Sequence, residues 1–223
     1  GIPGFVYADL FSPHALRRTF ARGVAFQENP TTGDARVTGT TASLAGIEAG
    51  DAGGEDRVVL AHALALSTGG IPLLYLGDEV AQLNDYSYRD DPVRRGDSRW
   101  VHRGNRPRDR YTERTDENTP AGRVFRRLTK LIAVRQQASE FAGGELIGFR
   151  TPHPSVIGYQ RPGAQTRVLA LANVGDAEVQ IDPLTLSGFA RDAYDLVHDA
   201  ELDLDEGLTL PPHGFVWVRV TPL

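Results

Sequence analysis

Cysteine is absent from the 223 residues, so disulfides and thiolate chemistry are excluded. Any metal would have to be held by histidine and carboxylate alone. Methionine is absent too. Gly1 is therefore not expected to be a translation start, and the chain is expected to be part of something longer. Lysine is almost missing: Lys130 stands alone against 23 arginines. That bias fits genomic base composition better than function. No apolar run approaches the length that spans a bilayer. The net charge of −5 gives no electrostatic reason to expect nucleic acid. No secretory signal is visible from Gly1, so the expected location is cytoplasmic rather than secreted. Internal repeats and low-complexity tracts are also missing.

What is present falls into three textures. Residues 1–53 are rich in Gly, Thr, Asn and Asp, with turn signals at Asn29-Pro30 and Thr32-Gly33. A short helix is expected from Thr40 to Ile47. After the break at Asp51–Gly54, residues 55–68 read as a helix that is apolar nearly all round and hence buried. His62 inside it reads as a core histidine. Gly69-Gly70 ends that helix. The run Ile71-Pro72-Leu73-Leu74-Tyr75-Leu76 then has the length and composition of a buried parallel strand, closed by Gly77-Asp78-Glu79. Asp78 and Glu79 read as scaffold at the strand end rather than as a catalytic pair.

Residues 81–118 form a long loop rich in Arg and Asp, most of which reads as solvated surface. Thr119 and Pro120 supply a cap and a first-turn proline for a helix reaching about Ser139. From Glu145 onward, short β-rich runs alternate with turns such as Pro162-Gly163 and His213-Gly214. This spacing predicts an antiparallel sandwich. A single parallel strand needs neighbours on both edges, so the first part is expected to be the end of a larger α/β domain.

Three runs carry a family resemblance. Phe20-Ala21-Arg22-Gly23 is followed by Phe26-Gln27, Asn29-Pro30, Thr32-Gly33-Asp34, Arg36-Val37 and Gly39-Thr40. Leu66 to Leu73 leads to Gly77-Asp78-Glu79-Val80. Leu83-Asn84-Asp85 is followed by Asp97-Ser98-Arg99-Trp100 and His102-Arg103. Together they resemble the C-terminal third of amylosucrases, sucrose-using members of the α-amylase superfamily (glycoside hydrolase family 13).

The resemblance implies a fold that is α/β plus all-β. It would be the C-terminal part of a (β/α)8 TIM barrel with an inserted loop domain, followed by an antiparallel β-sandwich. Residues 1–53 would belong to the loop domain after barrel strand seven. Residues 54–142 would end the barrel with helix seven, strand eight, a long loop and helix eight. Residues 143–223 would be the sandwich.

The implied reaction is glucosyl transfer from sucrose to an α-1,4-glucan, with fructose released and the anomeric configuration retained. Such chemistry uses a nucleophilic Asp and an acid/base Glu about 5 Å apart. Both match positions upstream of Gly1, so no catalytic residue is assigned here, and the chain alone is expected to be inactive. No cofactor and no metal are implied. The implied partners are sucrose, an α-glucan and the remainder of the barrel. The substrate-binding residues carried over are Gln27 and Arg36 on the acceptor side and Arg99, whose match pairs with an upstream acid at the floor of the glucosyl pocket. A sucrose hydrolase and a truncated, non-catalytic carbohydrate-binding fragment are the alternatives.

Overall fold

A computed structural model describes residues 37–189 and 192–221. They divide into two compact units. One comprises the segment ending at Val58 with Tyr75–Arg126; the other comprises Val59–Leu74 with Arg127–Leu223.

In the first unit, α1 (Thr41–Leu44) is a single turn capped by Thr40, whose hydroxyl accepts from the Ser43 amide at 3.2 Å. Helix α2 (Gly54–Ser67) begins here, with Glu55 and Asp56 in its positive first turn. Arg123 clamps Glu55 with a two-point fork, Nε at 2.8 Å and Nη2 at 2.7 Å. A short helix, α3 (Arg108–Glu113), precedes α4 (Pro120–Gln137). Thr119 caps α4 by accepting from the Gly122 amide at 3.1 Å, and proline takes the first position, where a missing N–H costs nothing. Val124, Leu128 and Leu131, spaced by four and three, are all buried and mark one face of the helix.

The second unit is built on antiparallel strands: β1 (Ile147–Gly148), β2 (Val156–Pro162), β3 (Arg167–Asn173), β4 (Val179–Ile181), β5 (Ala193–Asp195), β6 (Ala200–Leu202), β7 (Leu208–Leu210) and β8 (Phe215–Val220). A one-turn helix, α5 (Pro183–Leu186), lies between β4 and β5. Six strands form one sheet in the order β1-β2-β3-β8-β5-β6, and β4 pairs with β7 in a second. Leu169, Leu171, Val216 and Val218 from the large sheet share a core with Val179, Ile181 and Leu210 from the small one. The predicted antiparallel layers are present.

The other face of the large sheet receives the end of α2. Ser67 Oγ and Tyr159 Oη lie 2.5 Å apart, and Trp217 packs edge-on against Phe141 with ring centroids 4.8 Å apart. Arg161, fully buried, donates from Nη1 to the Thr68 carbonyl at 2.8 Å and from Nη2 to the Gly143 carbonyl. Arg135 donates to the carbonyls of Leu66 and Gly70. Two guanidiniums thus satisfy carbonyls at the C-terminal end of α2, where the helix leaves them unpaired. Gly69 sits there at φ +108°, and a Cβ on it would strike the Arg161 guanidinium.

One expected element is corrected. Ile71–Tyr75 carries no regular secondary structure, and Leu76-Gly77 is a turn. A parallel strand exists only through hydrogen bonds to its neighbours, and no strand among the described residues pairs with this run. Its apolar side chains are bare instead: Ile71 is 98% exposed, Leu73 84% and Leu76 63%.

Candidate functional site

The residues after this run fold into a compact loop. Gly77, at φ +99°, turns the chain into a 3₁₀ segment at Asp78–Val80, and Ala81 at φ +51° ends it. Two more 3₁₀ segments follow, Tyr86–Arg89 and Ser98–His102. Each is opened by an aspartate two residues before a captured amide. Asp85 accepts from the Ser87 N–H at 2.9 Å and its hydroxyl at 2.6 Å, and Asp97 accepts from the Arg99 N–H at 3.0 Å. The Asp85 amide donates to the Val101 carbonyl at 2.8 Å, tying the two segments together. Tyr88 and Val101 are buried between them, with Tyr86 and Trp100 packed alongside. Arg94 lies 4.6 Å from the Trp100 ring centre and Arg89 5.0 Å from that of Tyr86.

Asn84 fastens the loop to α1. Its Oδ1 accepts from the Thr40 amide at 2.8 Å, its own amide donates to Ser43 Oγ at 2.9 Å, and its Nδ2 donates to Tyr86 Oη at 3.1 Å.

Arg99 is exposed at the start of the third segment. Its Nε donates to both Asp97 oxygens, at 2.8 and 3.0 Å, and its Nη2 donates to Oδ2 at 2.8 Å. The hydrogen bonds from the Arg99 side chain and amide hold the Asp97 carboxyl down at about 2. The paired carboxylate raises Arg99 in turn. Nη1 makes no hydrogen bond among the described residues, so one edge of the fork is unused.

Three residues on, His102 meets Tyr75 edge-on, with ring centroids 5.9 Å apart. Burial, helped by the charge of Arg103, lowers the His102 pKa and favours the neutral imidazole. Its Nδ1 and the buried Ser98 Oγ find no hydrogen-bond partner among the described residues.

Glu79 is structural in this arrangement. Its Oε2 accepts from the Gly77 amide at 2.8 Å, and its Oε1 accepts from the Tyr111 hydroxyl. Burial, then the hydrogen bond to Glu79, pushes the Tyr111 phenol up to about 12. Arg106 covers the Tyr111 ring at 4.4 Å.

Of the substrate-binding residues expected from sequence, Arg99 lies on this loop, while Gln27 and Arg36 lie outside the described residues. His102, Ser98 and Asn84 escaped the site expectation. Asn84 and His102 sit inside the quoted motif runs, but nothing in their spacing separates a clamp or a partly buried imidazole from an ordinary loop residue. His62, read as a core histidine, is indeed buried. Among the described residues no group of three His, Cys, Asp or Glu could hold a metal ion, and no helix is long and apolar enough to cross a membrane.

A loop of this kind between two helices, followed by a layered antiparallel domain, is a fold shared with α-amylase-type structures. Over 83% of this chain the fold matches 38% of Eubacterium rectale Amy13B, with a TM-score of 0.60 at 15% identity. Over 78% it matches 36% of AmyP, solved in complex with maltose, with a TM-score of 0.59 at 13% identity. An Anoxybacillus α-amylase matches over 76% of the chain and 33% of its own, with a TM-score of 0.51 at 16% identity. In sequence, the chain is 28% identical over 165 residues to the glucosylglycerate phosphorylase of Escherichia coli. That alignment takes in 73% of this chain and 28% of the phosphorylase, so the chain spans little more than a quarter of the curated relative's length. No protein-family model matches the chain. At 13–16% identity the solved structures share the fold with this chain.

Proposed function

We propose that these residues are the C-terminal portion of an amylosucrase-like glucosyltransferase, which moves glucose from sucrose to an α-1,4-glucan and releases fructose. The observation that carries this reading is the bare apolar run after α2. Ile71, Leu73 and Leu76 stand in water at 98%, 84% and 63% exposure, directly before the loop that bears Arg99. Apolar side chains exposed in sequence belong against a partner surface. In a (β/α)8 barrel the eighth strand finds that surface in its neighbours, and the loop after it lies on the rim of the active site.

On this reading the chain supplies walls and orientation. The nucleophilic Asp and the acid/base Glu of a retaining mechanism belong to the remaining barrel strands. Arg99 contributes a fixed positive fork. Asp97 holds two of its three nitrogens, leaving Nη1 to pair with an acid across the glucosyl pocket. Gln27 and Arg36 hydrogen-bond the acceptor's hydroxyls. The specific run Asp97-Ser98-Arg99-Trp100 with His102-Arg103 supports sucrose as the donor. The likeness to the glucosylglycerate phosphorylase favours a second reading, in which phosphate takes the glucosyl group.

The test is a full-length parent enzyme assayed on sucrose with and without phosphate. Fructose release with glucan growth and no need for phosphate is the expected result. Release that requires phosphate and yields a glucosyl phosphate establishes the second reading. Arg99→Ala in that parent should cut sucrose turnover by at least about a hundredfold, as loss of a charged pocket contact does; unchanged kinetics reduce Arg99 to a surface ion pair.

A further inference from the structure

The far end of the large sheet carries a cleft of about 380 Å³ that the glucosyl-transfer reading does not use. This is at the small end of the range of about 300–1,000 Å³ for ligand sites. Its floor is a cross-strand row: Glu201 on β6 stands opposite Tyr194 on β5, which stands opposite Arg219 on β8. Thr166 and Asp192, just before β3 and β5, line its sides.

The row is held in place from below. Arg219 donates from Nε at 2.7 Å and from Nη2 at 3.0 Å to Glu140, which is 1% exposed, and Thr166 Oγ1 donates to the same carboxylate at 2.7 Å. Arg219 itself is 34% exposed, and its Nη1 makes no hydrogen bond among the described residues. The Tyr194 hydroxyl donates to Asp199 Oδ1 at 2.5 Å, which fixes the ring before any ligand arrives. Little ordering entropy remains to be lost on binding.

We propose that this cleft is a docking site for a neutral sugar, a short α-glucan segment, separate from the reaction centre. The chemistry selects the ligand. Asp192 and Glu201 accept hydrogen bonds only, and the Arg219 fork donates only. A phosphate meets two carboxylates, and a bare cation meets the guanidinium. A molecule that carries hydroxyls all round can donate to the acids and accept from the arginine at once, and it can lay an apolar ring face on Tyr194. The choice of an α-glucan among neutral sugars rests on the proposed function; the preference for a neutral polyol rests on the cleft.

The experiment is a titration of the full chain with maltotriose, followed by backbone amide NMR. Residues 192–194, 201 and 219–221 should shift together and saturate, with a dissociation constant of about 1 mM. Asp192→Asn and Glu201→Gln, both at exposed positions, should each weaken binding about tenfold, as expected on losing a hydrogen bond to a charged group. An absence of shifts up to about 20 mM maltotriose overturns the proposal. So does saturable binding of a lysine-rich peptide at the same amides with none of maltotriose. Binding of xylotriose in place of maltotriose keeps the neutral-sugar cleft and removes the α-glucan. A parent enzyme inactive on sucrose, with maltotriose still bound here, counts against the functional reading and leaves the cleft standing.

Discussion

Replacing Arg219 by leucine isolates the ion pair that anchors β8. In the native chain Glu140 is 1% exposed and accepts three hydrogen bonds, two from Arg219 and one from Thr166. Burial alone would raise the Glu140 pKa; the Arg219 fork and the Thr166 hydroxyl outweigh it and hold the carboxyl below its ordinary 4.5. Removing the arginine leaves a buried charge with one partner. Such a loss costs about 3–5 kcal/mol for a fully enclosed pair. Arg219 is 34% exposed, so solvent screens part of the interaction and we expect about 2–4 kcal/mol.

Urea unfolding at pH 7 should show this as a midpoint lowered by about 1–2 M with an unchanged slope. The pH dependence follows from the direction of the shift. A carboxyl with a depressed folded pKa contributes stability that is complete above 4.5 and is lost as pH falls through the folded value. In the variant Glu140 is governed by burial, takes up its proton more readily and ceases to be a buried charge. The deficit should therefore narrow between pH 7 and pH 4. Adding Glu140→Gln should recover most of the loss at pH 7. A variant within about 0.5 kcal/mol of the native chain would refute the reasoning. So would a deficit that is the same at both pH values.

Other substitutions probe separate parts. Asn173 is fully buried and donates to the carbonyls of Ala177, Leu210 and Pro211 while accepting from Ser155 and Gly175; Asn173→Ala should cost about 2–4 kcal/mol in thermal or urea unfolding. Arg99→Ala should return the Asp97 titration from about 2 toward 3.8, read by carboxyl carbon NMR, with no loss of fold. Because burial depresses His102, the unfolded chain binds its proton more readily, and stability should fall as pH drops below 6.5 toward the folded value. His102→Gln should flatten that part of the stability curve.

The β-rich half was legible because its strands obey local rules. The turn at Pro162-Gly163 falls at the junction of β2 and β3 and that at His213-Gly214 just before β8, and α4 follows its apolar face and its Thr-Pro start. β6 is hard to read from sequence because Ala200 and Glu201 are exposed at a sheet edge and show no apolar face. Arg161 was equally hidden. An arginine in a strand reads as solvent-facing, yet here it caps a distant helix end, a pairing that sequence spacing cannot express.

The run at 71–76 carries no strand among the described residues. Its composition is that of a buried strand, but a strand is made by its neighbours. The loop at 81–118 was read as mostly solvated surface. Its order comes from aspartates that capture an amide two residues on, at Asp85-Tyr86-Ser87 and Asp97-Ser98-Arg99. That signal was available in the sequence. The likeness of residues 83–103 to a sugar-pocket rim came from the motif alone.

On the proposed reading, these residues shape a glucosyl pocket whose bond-breaking acids lie on other strands of a barrel. The most direct measurement is fructose release from sucrose by the purified 223-residue chain on its own, over hours and at high enzyme concentration. The account predicts no release above a buffer control. Steady turnover that scales with protein concentration would place a working acid pair within the chain and contradict it.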